Sequence, residues 1–119
     1  MRYVCALITV EDIARSKDFY QTIMNQTIRE DYGEDVVFEG GFAIHQRSHF
    51  SGLIDHRPIT PGTHNCELYF EHPDVDGFAE LLLNHNVTLI HSPRIQPWGQ
   101  NVVRFYDPDL NVIEVGQPL

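Results

Sequence analysis

A β-rich run, Val4 to Val10, gives way at Asp12 to apolar residues spaced for a helix. Ile13, Tyr20 and Met24 fall on one stripe, which Phe19 and Ile23 widen, so a helix is predicted from Asp12 to Met24. Asp12 is placed to cap the free N–H groups of the first turn, and Asn25 to stop the helix in a left-handed conformation. Three β-like runs follow, Thr27 to Tyr32, Val36 to Glu39 and Phe42 to Gln46, with Gly40-Gly41 suited to a tight hairpin. The same plan returns after residue 64. Cys66 to Phe70 reads as a strand, and Asp74 to about His85 as a helix with Val75, Phe78, Leu81 and Leu82 on one face. Val87 to His91, Asn101 to Tyr106 and Val112 to Val115 are the closing strands, the last two joined around Asp107-Pro108-Asp109-Leu110-Asn111.

The pattern predicts an α+β fold of two tandem βαβββ repeats in a single domain, 1–119. The first repeat spans 1–46, a linker 47–63 and the second repeat 64–119. Ser51-Gly52, Pro58, Pro61 and Gly62 break any period in the linker. A helix covers one face of each four-stranded sheet, so the other face needs a second sheet, a partner chain or a ligand. Two such sheets side by side form a hollow that is a natural pocket.

Charge narrows the partners. Eight Lys and Arg against seventeen Asp and Glu give −9 at pH 7, which argues against nucleic acid or an anionic membrane surface. The apolar runs are far shorter than the roughly 20 residues that span a bilayer. The opening Met1-Arg2-Tyr3-Val4-Cys5 reads directly into a strand rather than as a signal peptide. Cys5 and Cys66 form no CxxC, and a reduced pair in a cytoplasmic protein is the expectation.

Two segments carry a resemblance. Val10-Glu11-Asp12-Ile13-Ala14-Arg15-Ser16-Lys17-Asp18-Phe19-Tyr20 resembles the opening of the vicinal oxygen chelate superfamily, which holds glyoxalase I, the extradiol dioxygenases and the bleomycin- and fosfomycin-resistance proteins. Arg104-Phe105-Tyr106-Asp107-Pro108-Asp109-Leu110-Asn111-Val112-Ile113-Glu114 resembles its closing hairpin, with Leu110 where the superfamily usually has glycine. Phe19 and Tyr20 are read as core, and the Asp-Pro-Asp turn as a hairpin device whose aspartates accept turn N–H bonds.

The resemblance implies four metal ligands, from the first and last strands of each repeat. By position they fall at Cys5, near Asn65 to Glu67, near Ile44 or His45, and at Glu114. Strand alternation places residues 5, 7 and 9 on one face and 65, 67 and 69 on one face of theirs. Cys5, Leu7, Asn65, Glu67 and Tyr69 then line the hollow, joined by Glu114 and Arg104. In one reading Glu114, Glu67, Cys5 and His45 bind a divalent Zn, Mn, Fe or Ni ion. In the other the site is degenerate and holds no metal: Arg104 neutralises Glu67 or Glu114, and Cys5 is a small buried hydrophobe.

Trp98, the sole tryptophan, sits in the loop Ser92 to Gln100 before a pocket strand, placed either to close over a flat ligand or to plug a seam. His49, His56 and His64 lie in or beside the linker, within reach of a pocket mouth. The resemblance implies a small-molecule ligand and a homodimer. It leaves two activities open: a metal-dependent lyase or dioxygenase with Glu114 and Glu67 as catalytic carboxylates, or non-catalytic sequestration of a small molecule.

Overall fold

The structure, a computed structural model, describes all 119 residues, and the chain divides into two units, Met1–Pro61 and Gly62–Leu119. Each unit is a βαβββ repeat, as the sequence pattern predicts. In the first, β1 (Ala6–Val10), β2 (Ile28–Asp31), β3 (Asp35–Phe38) and β4 (Phe42–Gln46) form one sheet in the order β1-β4-β3-β2. In the second, β5 (Glu67–Glu71), β6 (Leu89–Ile95), β7 (Asn101–Tyr106) and β8 (Val112–Gly116) repeat it as β5-β8-β7-β6. In both, the first strand runs parallel to the last and the other pairs are antiparallel.

Asp12 caps helix α1 (Ile13–Asp18), its carboxylate accepting from the N–H groups of Ala14 and Arg15 at 3.0 and 3.2 Å. The predicted single helix to Met24 is instead two pieces. After Asp18 the chain widens into a π-helical turn, Phe19–Ile23, closed by Met24 N–H on the Phe19 carbonyl. That turn carries Phe19 and Tyr20 inward. Tyr20 is fully buried against Phe38 and Phe42, which stack at 4.8 Å. Asn25 ends the segment at positive φ.

Helix α3 (Val75–Asn84) follows its pattern except at Leu81, which is exposed, while Ala79 joins the buried stripe. Asp74 accepts from Gly77 N–H at 2.9 Å, and Val75, Phe78, Ala79 and Leu82 are buried on one stripe. Phe78 packs on Phe105 with ring centres 5.9 Å apart. Burying side chains of this size contributes about 2 kcal/mol each.

Two segments depart from their predicted form. Within the linker, Arg47–Leu53 is a helix, α2, in spite of Ser51-Gly52. Tertiary contact supports it: Arg47 Nη1 lies 3.4 Å from Glu11 Oε2, and His49 Nε2 lies 3.2 Å from Glu34 Oε2. Strand β6 also runs on to Ile95 through Pro93. It lies at the sheet edge and shifts register between His91 and Arg94, so a residue without an N–H is accommodated there.

Leu110 takes the left-handed conformation itself, at φ +65°. Its side chain is 54% exposed, so little burial offsets the backbone strain. Replacing it with glycine relieves roughly 1 kcal/mol of strain and loosens the unfolded chain by somewhat less, for a net gain of about 0.5 kcal/mol. Thermal denaturation of Leu110→Gly reads this as a higher Tm. A lower Tm would mean that packing of Leu110 on Gly62 outweighs the strain.

Candidate functional site

In the second unit, Phe105 meets Phe78 of α3, and Ile113 lies opposite Phe105 on β8. Alternation turns Arg104 and Glu114 to the other face of the sheet. The ladder sets four residues in one row across it: Tyr69 pairs with Glu114, Glu114 with Arg104, and Arg104 with His91. Glu67 lies two residues before Tyr69 on the same side of β5.

Arg104 is the hub of this row. Its Nη2 donates to Glu114 Oε2, and its Nε lies 3.8 Å from Glu67 Oε1. Its Nη1 donates to His91 Nε2 at 3.2 Å and to Gln96 Oε1 at 3.4 Å. A guanidinium only donates, so His91 accepts at Nε2, and its Nδ1–H donates to the Ser92 carbonyl at 2.8 Å. The two carboxylates also meet each other. A hydrogen bond to Glu114, then burial, then the Glu114 charge raise Glu67 above its ordinary value of 4.5, against the opposing pull of Arg104.

That shift has a consequence for stability. As pH rises from about 4.5 the folded chain keeps a proton on Glu67 that the unfolded chain releases, so stability is lost through that window. Glu67→Gln keeps a neutral hydrogen-bond donor beside Glu114. Relative to the parent chain it gains stability between pH 4 and pH 7, by less than about 1 kcal/mol because Glu67 is half exposed. Urea midpoints at the two pH values measure the difference, and equal offsets at both would contradict the shared proton.

A second polar centre adjoins the row. The Gln100 amide donates to Tyr69 Oη at 3.0 Å and to the Gln117 carbonyl at 2.7 Å, and it accepts from Trp98 Nε1 at 2.8 Å. It lies directly over Gly116, where a Cβ would come within 2.5 Å of Gln100 Nε2. Glycine at 116 is therefore what lets one buried amide orient both aromatic rings. Tyr69 and Trp98 remain 48% and 54% exposed.

The first unit carries no equivalent centre. Phe42 faces Tyr20, so Ala43 and His45 are the β4 residues turned the other way. Leu7 pairs with Ala43 and Thr9 with His45. Cys5, just before β1, lies four residues from the rung of His45, roughly 13 Å along the strand. His45 Nε2 is hydrogen-bonded to His49 Nδ1 at 2.8 Å, and His49 Nε2 lies 3.2 Å from Glu34 Oε2. Asn65 is exposed ahead of β5.

Sequence reasoning placed Glu67, Tyr69, Arg104 and Glu114 on one face. It missed His91 and Gln96 as Arg104 partners and Gln100 as the link between Tyr69 and Trp98. The alternation of β7 with β6 held a signal for His91, but the register shifts in β6 hid it. No group of three or more His, Cys, Asp or Glu side chains is arranged to hold a metal ion. At Glu67 and Glu114 the position a cation would take is filled by the Arg104 guanidinium, so these residues do not fit a divalent centre.

Two βαβββ units, each with its first strand parallel to its last, define the fold of the glyoxalase/bleomycin-resistance/dioxygenase type. The chain belongs to the glyoxalase-like domain family, whose sequence profile matches residues 3–119, and it is a member of the vicinal oxygen chelate superfamily. It is similar over its whole length to a protein of unknown function from Agrobacterium tumefaciens C58, with 45% identity, 95% of that chain covered and a TM-score of 0.90. A glyoxalase/bleomycin resistance protein/dioxygenase superfamily member from Sphaerobacter thermophilus shares 25% identity and a TM-score of 0.75, with 99% of this chain and 98% of that one covered. A lactoylglutathione lyase from Agrobacterium tumefaciens, at 18% identity and a TM-score of 0.72 over 97% of this chain and 92% of that one, shares the fold. No match was found among functionally curated proteins.

Proposed function

We propose that the protein binds a small organic molecule on the open face of its second sheet, at Arg104, Glu114 and Glu67. The observation that carries this reading is the pairing of that charged row with two half-exposed aromatic rings on the same face. Arg104 is already matched by Glu114, and Glu67 adds further negative charge. The centre therefore favours a neutral or cationic ligand over a phosphate. Tyr69 and Trp98 offer flat surfaces for an aromatic ring or an onium group. Asn65, exposed ahead of β5, is a candidate contact beyond this row.

Sequestration is the leading role, because the Arg104 guanidinium stands at both Glu67 and Glu114 where a divalent ion would need to be. A second reading rests on the proton that Glu67 retains in its hydrogen bond to Glu114. An exposed carboxyl with a raised pKa, beside a guanidinium, is placed to act as a general acid or base on a bound carbonyl compound.

The other proposed properties have separate support. Tyr3, Val4 and Leu7, exposed on or before edge strand β1, favour a homodimer. Free Cys5 and Cys66 thiols accord with a cytoplasmic setting, and no helix is long and apolar enough to cross a membrane.

Tryptophan fluorescence tests the binding site, since Trp98 is the only tryptophan. Titration with flat neutral and cationic compounds is expected to find ligands that shift its emission, with weaker binding in Tyr69→Ala. Indifference of Trp98 to every ligand bound elsewhere on the chain would remove it from the site. Protein purified without chelator or affinity-tag metal is expected to hold less than one transition-metal ion per chain and to lack glutathione-dependent lyase activity. One tightly held ion per chain, lost in Glu114→Ala, would overturn the reading.

A further inference from the structure

The first unit contains a cavity of about 480 Å³, within the range that holds small ligands. Arg47 and Ser51 of α2 line it. His56, Arg57 and Ile59 from the segment after α2 line it too, as does Glu11, just after β1. The chain has only eight Lys and Arg and a net charge of −9, yet two of its arginines converge here. Like charges in one concave wall repel unless an anion lies between them.

The backbone holds these groups in place. Asp55 and His56 are successive non-glycine residues in the left-handed region, at φ +54° and +55°. Such strain persists where the surroundings over-determine it, and it gathers at ligand sites. Here it is fixed by His56 N–H on the Ser51 carbonyl at 2.8 Å, by Arg57 N–H on the Ile54 carbonyl at 3.2 Å, and by the Ser51 hydroxyl 3.4 Å from His56 Nδ1. Arg57 thereby joins Arg47 in the cavity lining. Arg47 Nη1 also lies 3.4 Å from Oε2 of Glu11, another lining residue.

We propose that this cavity is a binding site for a small organic oxyanion, a carboxylate or phosphate ester, gripped by Arg47 and Arg57 with the Ser51 hydroxyl as a further donor. Two guanidinium forks match the paired oxygens of either group. Pro58 and Ile59 line the same cavity and give a short apolar group somewhere to lie. The site is independent of the one on the second sheet, whose charge selects the opposite kind of ligand.

Amide NMR of the full chain, titrated with inorganic phosphate and separately with butyrate at constant ionic strength, tests the proposal. Saturable shifts confined to residues 46–59 are expected with at least one of them, with a Kd on the order of 1 mM for such minimal probes. The probe that binds identifies the source as phosphate or carboxylate. Arg57→Gln, at an exposed position, is expected to weaken binding about tenfold while leaving the rest of the spectrum intact. Arg29→Gln on β2 serves as a control and is expected to bind as the parent chain does. Shifts with neither probe, shifts matched by chloride, or unchanged binding in Arg57→Gln would each overturn the proposal.

Discussion

Arg104→Ala is expected to lower stability by roughly 3 kcal/mol at pH 7, because it leaves a buried carboxylate without its counter-charge. Glu114 has a side chain only 11% exposed, and Arg104 itself is 21% exposed, so water does little to replace the lost partner. Glu67, held above its ordinary value first by its hydrogen bond to Glu114, offers no counter-charge in place of Arg104. The deficit therefore shrinks in acid, where Glu67 takes up a proton and donates it in a hydrogen bond to Glu114. Arg104→Lys is expected to recover only part of the loss. An ammonium lacks the fork that reaches Glu114, His91 and Gln96 together. Urea denaturation at pH 7 and pH 4 measures both effects. A loss below about 1 kcal/mol, or one of equal size at the two pH values, would place Arg104 among ordinary solvated surface pairs.

Asp107→Ala is expected to cost a similar amount, roughly 3 kcal/mol, through the turn that joins β7 to β8. Asp107 is 2% exposed. Its Oδ1 accepts from the N–H groups of Asp109 and Asn111 at 2.9 and 2.8 Å, and its Oδ2 accepts from Asn111 Nδ2 at 2.9 Å. Alanine strands these donors in a turn with little access to water. Asparagine retains one accepting oxygen, so Asp107→Asn is expected to cost about 1 kcal/mol. Hydrogen exchange gives a second readout: amides of Tyr106 and Val112 lose protection first, and the register holding Arg104 against Glu114 loosens with them. Unchanged protection there would show that the sheet, and not the turn, fixes that register.

The sequence by itself determined the two repeats, because period and capping are local. Asp12 and Asp74 cap the helices they precede, Asn25 turns left-handed, and Val75, Phe78 and Leu82 recur at helical spacing. It also placed Glu67, Tyr69, Arg104 and Glu114 on one face, since strand alternation needs only counting. Tertiary structure decided the rest. Helix α2 forms across Ser51-Gly52 where Arg47 reaches Glu11 and His49 reaches Glu34, contacts with distant parts of the chain that no local propensity encodes. The β6 register shifts bring His91 to Arg104, and a missing Cβ at Gly116 lets Gln100 join Tyr69 to Trp98. Whether a carboxylate meets a metal or a guanidinium depends on which side chain occupies a few ångströms of space, and only packing settles that.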